Sequence, residues 1–257
     1  MRDEVALWSS LGDRLDRLSD QTGAPARFWL RDDDAVRPTP ALDRLLRIAE
    51  DHAMPVALAV IPAFAKNALA DRLTPMTGVH VLPHGWAHRN HAPPDEKKTE
   101  LGDHRPAEIV LAEIAEGWCR LEGFPRRLPV LVPPWNRIGE DVAGGLNALG
   151  FEALSLFADK PLCGRGAELS RFDTHLDPIA WGAGGGFVGT PAVLGALLAR
   201  LDAMGEGRID PRAPTGILTH HLVQDEATFT FLNNLLCYLA RRNDCRFISV
   251  ENLLANG

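Results

Sequence analysis

Apolar positions along the chain switch repeatedly between two periods. Leu7, Leu11, Leu15 and Leu18 recur at helical spacing, which predicts an amphipathic helix over residues 1–22. Phe28-Trp29-Leu30 is a short apolar run of strand type. Thr39-Pro40 then opens a helix to about His52, with Leu42, Leu45, Leu46 and Ala49 as its buried stripe. The stretch from Pro55 to Ile61 is continuously apolar, the pattern of a strand covered on both faces. A short helix follows around Ala65–Arg72, then a strand at Val79–Leu82. Further on, helices are predicted at Pro106–Leu121, Asp141–Leu149, Pro191–Met204, Glu226–Arg241 and Val250–Leu254. Strands are predicted at Pro129–Val132, Phe151–Leu156, Gly216–Thr219 and Arg246–Ile248.

Two segments break this rhythm. Residues 89–105 are polar, proline-bearing and aperiodic, and they read as a long loop of the kind that often serves function. Residues 159–189 are glycine-rich, with short strands expected at Phe172–His175 and Ile179–Trp181. About seven β/α units succeed one another with no linker, so residues 1–257 are expected to form one domain. Strands alternating with helices favour right-handed crossovers and a parallel sheet. With so many units, a closed or partly closed β/α barrel is the natural solution, and barrel sites lie at the C-terminal ends of the strands.

Composition narrows the function classes. The chain is 46% hydrophobic and 24% charged, with a formal net charge of -7. That balance argues against nucleic acid as a partner, and the isolated pairs Arg126-Arg127 and Arg241-Arg242 read as solvated. Cys119, Cys163, Cys237 and Cys245 form no CxxC pair, which argues against a thiolate zinc cluster; Cys237 and Cys245 could pair in an oxidising compartment. No run approaches the roughly 18 apolar residues that span a bilayer. The charged start, Met1-Arg2-Asp3-Glu4, lacks a signal-peptide core, so a cytoplasmic location without a membrane partner is expected.

Five polar stations follow predicted strands. The first is Arg31-Asp32-Asp33-Asp34-Ala35, in which adjacent carboxylates are costly unless a cation or solvent compensates. It reads either as a solvated loop with a capping Asp or as a metal ligand beside a base. The second is His84-Gly85-Trp86-Ala87-His88; two imidazoles at i and i+4 on one helical turn present two ligands to one ion. With Gly at 85 it cannot be the HExxH helix of a metalloprotease, so the base must come from elsewhere. His91 is a spare candidate. The third, Val132-Pro133-Pro134-Trp135-Asn136-Arg137, has a proline-stiffened backbone suited to fixing an amide N–H, or to a plain turn with a buried Trp. The fourth is Asp177-Pro178-Ile179-Ala180-Trp181, whose Trp181 could wall a sugar site or belong to the core. The fifth is Leu218-Thr219-His220-His221, two histidines pointing to opposite faces of one strand end, one to the barrel mouth and one outward.

In this order, the stations resemble the polysaccharide deacetylase family, the NodB-homology or carbohydrate esterase 4 type, over about residues 27–222. The resemblance implies a distorted (β/α)7 barrel and metal-dependent removal of an acyl group, typically acetyl, from an N-acylated sugar or related substrate. It implies Asp34, His84 and His88 as metal ligands and Asp33 as base. Asp32 and Asp33 could hold the two carboxylate roles instead. Trp135 would donate its backbone N–H to the oxyanion, His220 would be the general acid, and Asp177 matches weakly the residue that orients it. Zinc is the expected ion, although two His and one Asp also suit cobalt, nickel or iron. The partner is expected to be a small molecule or oligosaccharide.

Three positions depart from the pattern. Gly85 stands where the family prefers Ser or Thr, Val132 where it has an Arg that partners the catalytic Asp, and His221 where it has an acidic residue. Arg31 or Arg137 could replace that Arg. The departures keep open two other readings: a hydrolase of a small linear or cyclic amide, and a silent carbohydrate-binding barrel.

Overall fold

Strand β1 (Ala26–Ala35) is the axis of the fold and is buried along almost its whole length. The structure, a computed structural model, describes residues 2–158 and 169–256. On one edge of β1 lies β2 (Val56–Val60), followed by β3 (Val79–Pro83). On the other edge is β7 (Thr215–Thr219), in register from Phe28↔Thr215 to Asp32↔Thr219. A short β8 (Cys245–Phe247) pairs with the first residues of β1. A second sheet holds β4 (Val130–Leu131), β5 (Ala153–Leu154) and β6 (Ser170–Arg171). Every pairing between these strands is parallel.

Single-residue bridges join the two sheets. Val81↔Arg127 and His84↔Val132 link β3 to the β4 segment, and Leu176↔Ile217 links the segment after β6 to β7. The strands therefore run around a ring that closes only through irregular pairing, which makes the barrel distorted, of the (β/α)7 type.

Side-chain alternation on β1 and β2 builds two cores. Phe28, Leu30, Val56, Leu58 and Val60 face the helices, among them Leu11 and Leu15 of α1 (Arg2–Thr22) and Leu42, Leu45 and Leu46 of α2 (Pro40–Asp51). Trp29, Ala57 and Ala59 face the barrel interior with Leu82, Val132 and Ala153. Thr39 caps α2 by accepting a hydrogen bond from the Leu42 N–H at 3.0 Å. Between α2 and β3 comes α3 (Asn67–Leu73). Helix α4 (Ala107–Arg120) packs on α5 (Glu140–Gly145), and α6 (Thr190–Gly205) lies against α1. Helix α7 (Glu226–Ala240) is capped by Asp225, and α8 (Val250–Asn256) ends the described chain.

The alternation expected from the sequence is present, with four corrections. The short strands expected at Phe172–His175 and Ile179–Trp181 are reduced to single bridges at Thr174 and Ile179, with β6 at Ser170–Arg171 and a 3-10 turn at Trp181–Ala183. Residues 84–88 form an irregular loop and not a helical turn; Gly85 and His88 both adopt positive φ, at 56° and 53°. Strand β1 runs on through the Asp triplet, where a loop was one reading. Cys237 and Cys245 are unpaired, as is Cys119, and Cys163 lies outside the described residues. No described helix is long and apolar enough to cross a membrane.

Candidate metal centre and cleft

Parity along β1 decides where each carboxylate goes. Arg31 and Asp33 lie two apart and meet on one face, while Asp32 points the other way. Asp32 is fully buried, and its oxygens accept from the Thr219 hydroxyl at 2.8 Å, the His221 N–H at 2.9 Å and the His221 ring Nδ1 at 2.5 Å. His221 is thus buried in an ion pair with Asp32 instead of facing outward. Burial lowers the His221 pKa, but the charge and hydrogen bond of Asp32, with the charge of Asp34, together outweigh it and raise the net value.

A bulge then brings two successive carboxylates to one cleft. Asp32 pairs with Leu58 and Ala35 with Val60, so β1 carries one residue more than β2 over this interval. Asp34 takes φ 74°, a conformation uncommon outside glycine and tolerated best by Asp and Asn. Asp33 and Asp34 consequently line the same cavity, of about 570 Å³, with His84, His88, Trp135, Asp177, Trp181 and His220. Of the residues singled out for a catalytic or ligand role, Asp33, Asp34, His84, His88, Trp135, Asp177 and His220 reach this one cleft, whereas Asp32 and His91 do not.

Asp34 Oδ1 lies 3.3 Å from His84 Nε2 and 3.3 Å from His88 Nε2. It is buried without a well-formed hydrogen bond, and the three potential ligand atoms all lie within 4.8 Å of one another. Ligands held about 2.0–2.2 Å from a tetrahedral ion stand roughly 3.3–3.6 Å apart, so the two separations from Asp34 are those a zinc-like cation needs. His84 Nδ1 donates to the Val132 carbonyl at 2.9 Å, which leaves Nε2 as the ligand atom. Burial would raise the Asp34 pKa; the hydrogen bond and charge of His84, with His88 and His220, hold it well below the usual carboxylate range. For His84, burial is outweighed by the charges of Asp33 and Asp34 together with its hydrogen bonds to Asp34 and Val132, and its pKa is raised. That of His88 is lowered by burial and by His84.

Of the two arginines that could replace the one expected at position 132, Arg31 is the one that meets Asp33. Its Nε and Nη2 donate to the two oxygens of Asp33, each at 2.9 Å, and both side chains are buried. The same guanidinium donates to Ser155 Oγ at 2.7 Å, to the carbonyls of Ser155 and Leu156, and to Asn136 Oδ1 at 2.7 Å. Arg137 instead donates to the Lys98 carbonyl at 2.7 Å and sits with Lys98 at the cleft wall.

Trp135 adopts φ 55° in the tight turn Pro134–Asn136, its ring 4.2 Å from that of His88. His220 Nε2 stands 4.0 Å from Asp33 Oδ2, and its Nδ1 is buried without a partner. Asp177 does not supply that partner: its oxygens accept from the Trp181 indole N–H at 2.7 Å and the Ile179 N–H at 3.0 Å. Burial raises the Asp177 pKa. Trp181, 51% exposed, meets the His220 ring edge-on at 4.8 Å. His91 is outside the cleft. Sequence reading missed Glu100, a buried carboxylate behind the His84–His88 loop; the only signal was its place in the long loop next to the histidine pair.

No family model matches the chain, and no curated protein matches it in sequence. Solved structures do. A Mycobacterium smegmatis protein named as a polysaccharide deacetylase superimposes with a TM-score of 0.66 at 16% identity, covering 91% of this chain and 90% of its own. The chain has the fold of the carbohydrate esterase family 4 deacetylases. A family 4 acetyl xylan esterase from Clostridium thermocellum, in complex with a cobalt ion, aligns at a TM-score of 0.55 and 15% identity over 90% of this chain and 91% of its own. A mutant of a family 4 pseudoenzyme with restored enzymatic activity aligns at 0.58 and 14% identity, over 90% of this chain and 68% of its own.

Proposed function

We propose that this protein is a metal-dependent hydrolase that removes an acyl group, acetyl in the simplest case, from an N-acylated sugar or related substrate. The observation that carries this reading is the convergence of Asp34, His84 and His88 in the same cleft as Asp33 and His220. Binding alone requires neither a base nor an acid beside a ligand set. The fold shared with the cobalt-bound esterase supports it further.

Asp34 Oδ1, His84 Nε2 and His88 Nε2 would hold the ion, with zinc first and cobalt, nickel or iron also suited to the donors. When bound, the ion supplies an acidified water and polarises the acyl carbonyl. Asp33, fixed by Arg31, removes the proton from the attacking water. The Trp135 N–H is the proposed donor to the oxyanion, a type of contact worth about 3–4 kcal/mol. His220 then gives a proton to the departing nitrogen or oxygen, so the products are the free amine or alcohol and the carboxylic acid. Trp181 offers an exposed aromatic face beside His220, suited to a sugar ring.

The silent-barrel reading draws on one observation, the buried and unpartnered His220 Nδ1. Acetate release from N-acetylated and O-acetylated oligosaccharides, assayed on cobalt- or zinc-loaded protein with and without chelator, separates the two. Chelator-sensitive release is expected. Stoichiometric metal with no release from these substrates or from small linear and cyclic amides would leave the silent reading standing.

A further inference from the structure

The two histidines of the ligand set are held by different means. His84 follows directly on β3; its N–H donates to the Val60 carbonyl at 2.8 Å and its ring to Val132. Among the described residues His88 has no such strand anchor; it sits in an irregular loop at positive φ. The Gly85 N–H donates to the Val132 carbonyl and the Trp86 carbonyl accepts from the Ala63 N–H, both at 3.0 Å. What holds the part of the loop around His88, however, comes from twelve residues further along the chain. Glu100 is 1% exposed and its carboxylate accepts three backbone hydrogen bonds from the loop. Oε2 takes the Trp86 N–H at 3.0 Å, and Oε1 takes the N–H groups of Ala87 and Arg89 at 2.8 and 3.0 Å. His88 lies between the last two donors, so its backbone is pinned on both sides by one oxygen.

The same carboxylate accounts for the unusual residue at 85. A Cβ built on Gly85 would stand 2.2 Å from Glu100 Oε2 and 2.6 Å from Pro134 Cδ. Glu100 and a side chain at position 85 therefore exclude each other in this arrangement. The support that a Ser or Thr hydroxyl would give the loop from within is supplied from behind by a buried carboxylate. Glu100 is itself well placed to do this: its own carbonyl accepts from Arg105 at 3.2 Å, and the next residue, Leu101, bridges to Ile138.

We infer that Glu100 is a positioning residue for the metal site, acting through the backbone around His88, and that it replaces the hydroxyl lost at Gly85. This rests on the ligand set proposed above. Removing a group that orients a metal ligand commonly lowers metal affinity 10- to 100-fold.

The test is cobalt affinity, measured by competition with a chromophoric chelator, for wild type, Glu100→Gln, His88→Ala and the double variant. Glutamine keeps the size of the side chain but turns a donor toward the Trp86 N–H. Glu100→Gln is expected to bind cobalt 10- to 100-fold more weakly with an altered visible spectrum, and the double variant to bind no worse than His88→Ala alone. Wild-type affinity in Glu100→Gln, or a loss additive with His88→Ala, overturns the inference. A wild-type chain that takes up no cobalt overturns the ligand set itself, and this role with it. Should Glu100→Gln not fold, hydrogen exchange on wild type decides: slow exchange at amides 86, 87 and 89 is expected, and exchange at the rate of an open loop refutes the pinning.

Discussion

Replacing Arg31 with methionine removes a cation from the interior while leaving its counter-charge in place. Arg31 is 0% and Asp33 2% exposed, and the two-pronged contact at 2.9 Å is the carboxylate's closest ionic partner. The His220 ring Nε2 stands 4.0 Å from Asp33 Oδ2, and His84 is also within electrostatic reach. The change also strips Asn136 Oδ1 and the carbonyls of Ser155 and Leu156 of a donor. Leaving one partner of a buried pair unpaired costs about 3–5 kcal/mol, far more than the net worth of the intact pair against an apolar substitute. Arg31→Met should therefore lose about 3–5 kcal/mol in urea unfolding followed by circular dichroism, with an unchanged m-value. Adding Asp33→Asn removes the stranded charge and should recover most of that loss. The two residues touch, so their effects should be strongly non-additive. Arg31→Lys should fall between, because a single ammonium cannot grip both carboxylate oxygens and reach Asn136 as well. A cost below about 1 kcal/mol for Arg31→Met, or no recovery in the double variant, would refute the reading of Arg31 as the partner that keeps Asp33 in place.

Four further outcomes follow from the same geometry. Gly85→Ser, which restores the family-like residue, should destabilise by at least about 2 kcal/mol, since it combines positive φ with the clash on Glu100 and Pro134; a variant as stable as wild type in thermal melts contradicts this. His220→Asn should reduce kcat for deacylation by about 10²–10⁴-fold while cobalt content stays unchanged; metal loss would mean His220 is a ligand. Because the folded-state pKa of His84 is raised, its Nε2 keeps a proton to higher pH than free imidazole, so cobalt affinity should fall as pH drops through that raised value. Equal affinity at pH 5 and pH 8 would exclude His84 from the ligand set. Burial and then the charge of Asp244 push the Cys245 thiol up to about 12, so iodoacetamide at pH 8 should modify exposed Cys119 before Cys245; peptide mass mapping that finds Cys245 labelled earlier contradicts the described packing.

Much of the architecture was legible because the apolar code is redundant. Val56 to Val60 reads as a strand whichever face is considered, and the Thr39-Pro40 start of α2 is marked both by its cap and by its proline. The gathering of Asp34, His84, His88 and His220 in one cleft was legible for a related reason. A polar residue immediately after an apolar strand in a β/α series has few places to be other than the barrel mouth. The Asp triplet misled in one respect, since three adjacent acids suggest solvent. Here each has its own partner: His221 and Thr219 for Asp32, Arg31 for Asp33, and the two imidazoles for Asp34. None of those partners except Arg31 is close in sequence, so no local pattern reveals that the triplet is buried.

The same distance separates each departure from the residue that answers it. At position 132 the expected guanidinium is absent, yet one arrives at Asp33 from β1 itself, because Arg31 and Asp33 share a strand face by parity. At position 85 the expected hydroxyl is absent, and Glu100 reaches the loop through the chain that returns after residue 89. A missing side chain shows in the sequence as a mismatch to a motif, whereas its replacement shows only once the backbone has brought two segments together. Counting mismatches would have ranked this chain toward the inactive members of its fold. The mutual exclusion of Glu100 and any Cβ at Gly85 argues the other way, because an accidental loss at 85 would leave a void and not a buried carboxylate seated within 2.2 Å of where that Cβ would stand.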